Sequence, residues 1–201
     1  MSNQIKDGVV LITGAGKGRG RILAQAFADR GAFVAANDIS PVNLDPLVET
    51  ANGRIKAYVE DVAKKVGVQN LVNQVEDDFG RIDILINHAA VEPRVALLDM
   101  DEWDWHRVLG VNLTGAFLMT QSVGRVMRAQ GSGVIVNLTM SIQVDLAGEA
   151  AFRSSMKGFE ELSGQAAKEL SPFGIRVYAL DEARDTIVEK VFALLKNAED
   201  R

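Results

Sequence analysis

The 201-residue sequence predicts an α/β fold: a doubly wound parallel sheet of about six strands with helices on both faces. Short apolar runs alternate along the chain with segments of helical periodicity, which is typical of parallel strands joined by helical crossovers. Most of these runs are apolar on both faces, as expected for strands covered by helices on either side. The right-handed rule for such crossovers then favours the doubly wound arrangement.

The elements follow in order along the chain. Helical spacing separates the apolar runs, for example over 68–79, and it returns over 187–195 near the end of the sequence. The six predicted strands are 8–13, 32–37, 54–59, 82–87, 133–138 and 174–180.

Composition excludes several classes of function. Hydrophobic residues make up 47% of the chain, charged residues 24%, and the net charge is −5, which argues against a nucleic-acid partner. There are no cysteines and two histidines, so we expect no metal site. No apolar run approaches the roughly 18 residues of a membrane span, and the N-terminus lacks a signal-peptide pattern. We therefore expect a cytoplasmic protein without a membrane partner.

The first strand leads directly into the glycine-rich turn "TGAGKGRG" and then into a helix. Glycine allows the backbone to turn tightly and to approach a pyrophosphate closely, and the helix N-terminus favours the phosphate charge. This context predicts a dinucleotide site, although a glycine turn without a ligand remains the alternative. The predicted cofactor contacts here are Gly14, Lys17, Gly18, Arg19 and Gly20, with Gly16 between them.

Asp38 follows the second predicted strand, eighteen positions after Gly20. An acidic residue at this distance hydrogen-bonds the ribose 2′-hydroxyl of NAD and repels the 2′-phosphate of NADP. Lys17 would favour NADP, but Asp38 is better placed, so NAD is the predicted cofactor. The alternatives for Asp38 are a solvated loop acid or a helix N-cap before Pro41.

From about Val9 to Ala179 the chain resembles the short-chain dehydrogenase/reductase family in its single-domain form. "TGAGKGRG" is similar to the family's TGxxxGIG, and "INHAA" (86–90) to its NNAG element, with Asn87 retained. Asp61, next to Val62, matches the aspartate that contacts the adenine ring. The resemblance implies that residues 1–201 form a single NAD(P)-binding Rossmann domain, and that the family reaction is hydride transfer between a nicotinamide and a carbonyl or alcohol.

The same resemblance implies a catalytic serine, tyrosine and lysine, none of which stands at its expected position. Met140, Phe152 and Met156 occupy the serine, tyrosine and lysine positions. If the alignment with the family is shifted by one residue, Ser141 and Lys157 take the serine and lysine positions. On a helix, however, the Lys157 side chain is rotated by about 100° from that of position 156. No shift supplies the phenol, because the two tyrosines, Tyr58 and Tyr178, belong to the third and sixth strands.

Asn112 in "VNLTGAF" is the one retained family position of the active site, and we expect it to hold backbone or water at a helix irregularity. His88 is expected to be packed or hydrogen-bonded. Asp145 and Glu149 lie near the substrate side and are expected to be solvated loop acids.

The sixth strand is followed by a truncated C-terminal end. By the same resemblance, Glu182 and Ala183 occupy the positions of the family's Pro-Gly turn, and the given sequence is expected to lack the substrate loop and the seventh strand. The sixth strand is then expected at a sheet edge, where a partner could cover it.

Two principal functions follow. In the first, the chain is a non-catalytic subunit, inactive alone, of a homo- or hetero-oligomeric dehydrogenase such as one acting on CoA thioesters. It would pair with itself or with an active relative through the helices of 101–129 and 150–170, and its NAD binding could be vestigial. In the alternative, it is an active NAD-dependent oxidoreductase for a hydroxy or keto substrate that uses other groups, such as Ser141, Lys157 and a carboxylate. A cofactor-sensing switch is a third possibility.

Overall fold

A computed structural model of the protein describes residues 5–140, 147–181 and 186–199. Six parallel strands form one sheet in the order β3-β2-β1-β4-β5-β6, which confirms the predicted doubly wound fold. Each predicted strand is present within one or two residues of its expected bounds. The strands are β1 Val9–Thr13, β2 Phe33–Asp38, β3 Ile55–Val59, β4 Ile84–Asn87, β5 Gly133–Thr139 and β6 Ile175–Asp181.

Helices cover both faces of the sheet in two layers. Buried side chains of α1, α2 and α7 belong to one apolar core, and those of α3, α5 and the C-terminal part of α6 to the other, while the first turns of α6 pack against α4 in a smaller cluster. A π-helical segment, Gly110–Gly115, joins α4 to α5. The helices are α1 Gly18–Ala28, α2 Pro41–Glu49, α3 Lys65–Phe79, α4 Glu102–Leu109, α5 Ala116–Gln130, α6 Ala150–Leu170 and α7 Ile187–Glu199.

The central strand β1 shows why the apolar runs form buried strands. All five of its residues are buried. Val10 and Ile12 lie in the core beneath α1, whereas Val9 and Leu11 lie in the core beneath α3. Successive side chains of a strand point to opposite faces, so a run that is apolar throughout is stable only between two helical layers.

The strand order reverses between β1 and β4, because the chain moves from β1 outward to β3 and then returns to the other side of β1. In open α/β sheets, ligands bind at such a switch point, outside the carboxyl ends of the strands. A ligand site is therefore expected at this edge of the sheet.

None of the helices in the described ranges is long and apolar enough to span a membrane.

Candidate functional site

The predicted cofactor residues lie together at the carboxyl edge of the sheet. Gly14 follows β1, Asp38 ends β2, Asp61 follows β3, and Asn87 ends β4. The fold thus brings four separated parts of the sequence to one crevice.

The glycine turn is tightly packed on one side and open on the other. Gly14 has a φ of +66°, and a Cβ there would lie 2.9 Å from the Ala89 Cα. A Cβ at Gly20 would collide with the Gly14 carbonyl oxygen and would lie 2.7 Å from Nδ1 of His88. At Gly18, which begins α1, a Cβ would meet nothing within 4 Å. The open side, next to the helix N-terminus, suits the pyrophosphate of a dinucleotide.

Two basic residues flank this open side. Lys17 is exposed and is the N-cap residue of α1, with an extended backbone. Arg19 is half-buried in the first turn of the same helix. Their positions are compatible with the predicted contacts to phosphate.

Asp38 is 7% exposed, and its carboxylate is held by three donors. The Gly16 N–H donates to Oδ2 at 3.1 Å, and the Ser40 N–H donates to Oδ1 at 3.0 Å. The Asn43 side-chain amide donates to Oδ1 at 3.3 Å. Both alternative interpretations are therefore wrong: Asp38 is not a solvated acid, and the N-cap residue of α2 is Ser40. The carboxylate is fixed beside the glycine turn.

Asp61 organises the loop after β3. Its Oδ1 accepts a hydrogen bond from the Ala63 N–H at 3.0 Å, and its Oδ2 lies 3.5 Å from Nζ of Lys64. Val62, next to it, is buried. The loop is thereby fixed at the same edge of the sheet as Asp38.

Asn87 is part of a buried polar network beneath the crevice. Its Nδ2 donates to Oγ1 of Thr120 at 3.2 Å and to Oδ1 of Asn137 at 2.9 Å. Its own Oδ1 is buried and accepts no hydrogen bond within the described part of the chain. Because an orphaned buried acceptor is costly, this atom and the open glycine turn together fit a bound polar ligand.

His88 has the packed, hydrogen-bonded environment expected of it. Its N–H donates to Oγ1 of Thr13 at 3.0 Å, and its Nδ1 lies 3.2 Å from the Gly14 carbonyl oxygen. Thr13, which sequence reasoning did not select, also accepts from the Ala89 N–H at 3.1 Å. One hydroxyl thus fixes the chain after β4 against the end of β1.

Asn112 lies in the π-helical segment and fixes a neighbouring loop. Its Oδ1 accepts from the Val91 N–H at 2.8 Å, and its Nδ2 donates to the Val91 carbonyl at 3.0 Å. The same Nδ2 donates to Oγ of Ser155 at 3.0 Å. Ser155 is fully buried and was not identified from the sequence. The contacts are those of a residue that holds backbone at a helix irregularity.

Phe152 and Met156, which the sequence resemblance places at the tyrosine and lysine positions, lie in an apolar cluster. Phe152 is 2% exposed and Met156 is 4% exposed, and both pack with Val108 and Ala151. Met140 is partly buried against this cluster.

Lys157 faces away from this cluster. Its side chain is 78% exposed, and its Nζ lies 2.6 Å from Oε2 of Glu160. Lys157 thus points to a different side of the helix from Met156, as expected for the next residue of a helix. Ser141, Asp145, Glu182 and Ala183 lie outside the described residues.

Tyr58 lies far from Phe152 in the sequence, and its hydroxyl makes a structural hydrogen bond. Its hydroxyl donates to Oδ2 of Asp78 at 2.6 Å. Burial, with the hydrogen bond and charge of Asp78, raises the pKa of this phenol above its usual range. Hydrogen bonds from Lys56 and Tyr58 lower the pKa of Asp78. Tyr58 is thus unsuited to act as a base.

The expectation that Glu149 is a solvated loop acid is wrong. The residue is 3% exposed. Its Oε2 lies 3.2 Å from Nε of Arg153, and its Oε1 lies 3.8 Å from Nη2 of Arg94. The guanidinium groups of Arg94 and Arg153 offset the cost of burying the carboxylate. The position of Glu149 in the sequence did not reveal these two ion pairs.

Comparison with known proteins gives a consistent result. The sequence profile described as short chain dehydrogenase matches residues 8–182. A 3-oxoacyl-[acyl-carrier-protein] reductase, FabG, of Thermotoga maritima is 38% identical over 176 residues, which cover 86% of this chain and 72% of that protein. The (2S)-[(R)-hydroxy(phenyl)methyl]succinyl-CoA dehydrogenase subunit BbsD of Thauera aromatica is also 38% identical over 176 residues, covering 86% and 71%.

Solved structures agree with the sequence matches. NAD+-bound xylitol dehydrogenase superposes with a TM-score of 0.83 at 32% identity, covering 89% of this chain and 71% of that one. A metagenomic short-chain oxidoreductase in complex with NADP superposes with a TM-score of 0.86 at 25% identity, covering 94% and 90%.

Proposed function

Because the chain belongs to the short-chain dehydrogenase/reductase family, we propose that it binds NAD and acts as an oxidoreductase on a hydroxy or keto substrate. The relatives, which are named as reductases and dehydrogenases, support this activity. The observation that carries the cofactor assignment is the Asp38 carboxylate, which is fixed to the Gly16 N–H at 3.1 Å beside the open glycine turn.

The choice of NAD over NADP rests on the charge of Asp38. A buried carboxylate at the end of β2 accepts a hydrogen bond from a ribose 2′-hydroxyl and repels a 2′-phosphate. The Lys17 side chain is exposed and makes no ion pair or hydrogen bond within the described residues, so it offers only a weakly placed charge for NADP. Related structures contain either NAD+ or NADP, so family membership alone does not choose between the two cofactors.

The bound nicotinamide would supply or accept the hydride. The residues of this chain would bind the pyrophosphate at the glycine turn, orient the ribose through Asp38, and support the floor of the crevice through Asn87. Asn112 would keep the Val91 loop in place.

A second function is a non-catalytic subunit of an oligomeric dehydrogenase. Phe152 and Met156 favour it, because both are almost fully buried among apolar side chains and neither can transfer a proton. BbsD is named as a subunit of a dehydrogenase acting on a CoA thioester, which suggests the kind of assembly involved. A groove between α5 and α6, lined by Phe117, Leu162 and Phe173, would accept a second copy or an active relative.

One experiment separates the two functions. The purified chain would be incubated with NAD+ or NADH and a panel of alcohols, ketones and CoA thioesters, and nicotinamide absorbance would be followed. Turnover by the chain alone supports the oxidoreductase. No turnover, together with stoichiometric co-purification of an active relative from the native source, supports the subunit.

An Asp38→Ala variant serves as the control, because activity from a contaminating enzyme would not respond to it. Calorimetry of the wild type with NADH and NADPH tests the cofactor directly. Absence of binding to both would contradict the oxidoreductase, and it would mean that the dinucleotide site of a non-catalytic subunit is vestigial.

A further inference from the structure

The first turn of α2 lies against the glycine turn, and Asn43 is the residue at this contact. A Cβ at Gly16 would lie 2.5 Å from the Asn43 Cβ. Asn43 is half-buried, and no part of the glycine motif identifies it. It therefore belongs to the cofactor crevice through the tertiary structure alone.

The backbone of Asn43 is held on both sides. Its N–H donates to the Ser40 carbonyl at 3.2 Å. Its carbonyl accepts a hydrogen bond from the Arg21 guanidinium, which reaches it from α1. Because α1 and α2 both fix this residue, its side-chain amide is directed at Asp38.

The three donors on Asp38 are unequally divided between its two oxygens. Oδ1 accepts from Ser40 and from Asn43, and a carboxylate oxygen has two lone pairs, so Oδ1 is saturated. Oδ2 accepts from Gly16 alone within the described residues, and it retains one lone pair. Oδ2 is thus the oxygen that remains able to accept a ribose hydroxyl.

We propose that Asn43 is a positioning residue that sets the nucleotide preference, by fixing the Asp38 carboxylate with Oδ2 toward the ribose. This inference rests on the proposed binding of a nicotinamide dinucleotide. A fixed carboxylate accepts from the 2′-hydroxyl of NAD and stays in place against the 2′-phosphate of NADP. Without the Asn43 amide, the carboxylate can rotate away from a 2′-phosphate, and discrimination declines.

The test compares dissociation constants for NAD+ and NADP+ measured by calorimetry. In Asn43→Ala we expect the preference for NAD+ to fall by about 5- to 10-fold, the scale of one ordinary intramolecular hydrogen bond. Val42→Ala is the matched control, because Val42 is an exposed neighbour on the same helical turn. Its preference should stay within about twofold of the wild type. Asn43→Ser, whose hydroxyl can donate to Asp38, should restore part of the preference.

A purely structural role for Asn43 would weaken both nucleotides equally. An unchanged ratio in folded Asn43→Ala therefore overturns the inference while leaving dinucleotide binding intact. If the wild type binds neither nucleotide, the proposed function fails and this inference fails with it. Circular dichroism and thermal unfolding of each variant establish whether it is folded. If Asn43→Ala is not folded, the ratio of the dissociation constants for the two nucleotides is taken from Asn43→Ser.

Discussion

A methyl group has no space at position 16. A Cβ there would lie 2.5 Å from both Oδ2 of Asp38 and the Asn43 Cβ. We predict that Gly16→Ala lowers stability by about 1–3 kcal/mol, because the side chains of β2 and α2 must move. It should also weaken NAD+ binding at least about tenfold, because the same movement displaces Asp38. Urea denaturation and calorimetry measure the two effects.

The matched control for this prediction is Gly164→Ala. A Cβ at Gly164 would meet nothing within 4 Å, and the residue lies inside α6. Alanine is preferred to glycine in a helix by about 1 kcal/mol, so this variant should be as stable as the wild type or more stable. Equal losses in the two variants would contradict the packing argument.

At position 156, methionine packs where the family resemblance implies a lysine. We predict that Met156→Lys costs about 2–4 kcal/mol of unfolding free energy, because a cation would be buried among Val108, Ala151 and Phe152 without a partner. Urea denaturation at neutral pH measures the loss.

Lys157→Met is the reverse change one position later. The Lys157 side chain is 78% exposed, and its ion pair with Glu160 is at the surface, so stability should change by no more than about 0.5 kcal/mol. A tolerated lysine at 156 would mean that the apolar cluster admits water, and it would remove the main support for the non-catalytic function.

At the scale of elements, β3 is tied to α3 by three side chains. Tyr58 donates to Asp78 at 2.6 Å, and Lys56 lies 2.6 Å from the same carboxylate. These contacts lower the pKa of Asp78 in the folded state. A lowered folded pKa gives stability that is present above the unfolded pKa of about 3.9 and is lost as pH falls through the folded value.

We therefore predict a pH-dependent effect of Asp78→Asn. The variant should be less stable than the wild type near neutral pH, and the difference should shrink as pH falls below about 4. Urea midpoints across this range measure it. Asp77→Asn, an exposed neighbour on α3, should show no such dependence. If the difference in stability between Asp78→Asn and the wild type is constant with pH, the charge of Asp78 is not its cause.

The loops that join elements were harder to predict than the elements. Glu149, at the start of α6, was expected to be solvated but forms ion pairs with Arg94 and Arg153. Ser155 gave no signal in the sequence, yet it accepts a hydrogen bond from Asn112, 43 positions earlier. Such contacts depend on how α6, the π-helical segment and the loop after β4 are placed together, which local periodicity does not encode.

At the scale of the whole molecule, the sheet has two outer strands within the described residues, β3 and β6. The central strands β1 and β4 are hydrogen-bonded on both sides. We predict that amide hydrogens of β1 and β4 exchange at least about tenfold more slowly than those of β6, because an outer strand opens without disturbing the rest of the sheet. Hydrogen-exchange mass spectrometry measures this order.

Concentration dependence is the control for the exchange measurement. Protection of β6 that rises with protein concentration would indicate that a second copy covers this edge, as the sequence led us to expect of a partner. Protection of β6 equal to that of β1 at high dilution would contradict the prediction.

The α/β class, the six strands, the glycine turn and the presence of phenylalanine at position 152 could be read from the amino-acid sequence. Each of these depends on local spacing or on residue identity: apolar runs between helical periods, glycines at fixed intervals, and the residue type at 152. How the polar groups are used depends on the tertiary structure. It saturated Oδ1 of Asp38 with Ser40 and Asn43, and it buried Glu149 between two arginines. The physical reason is that a hydrogen bond or ion pair depends on distances between distant parts of the chain, which exist only after folding.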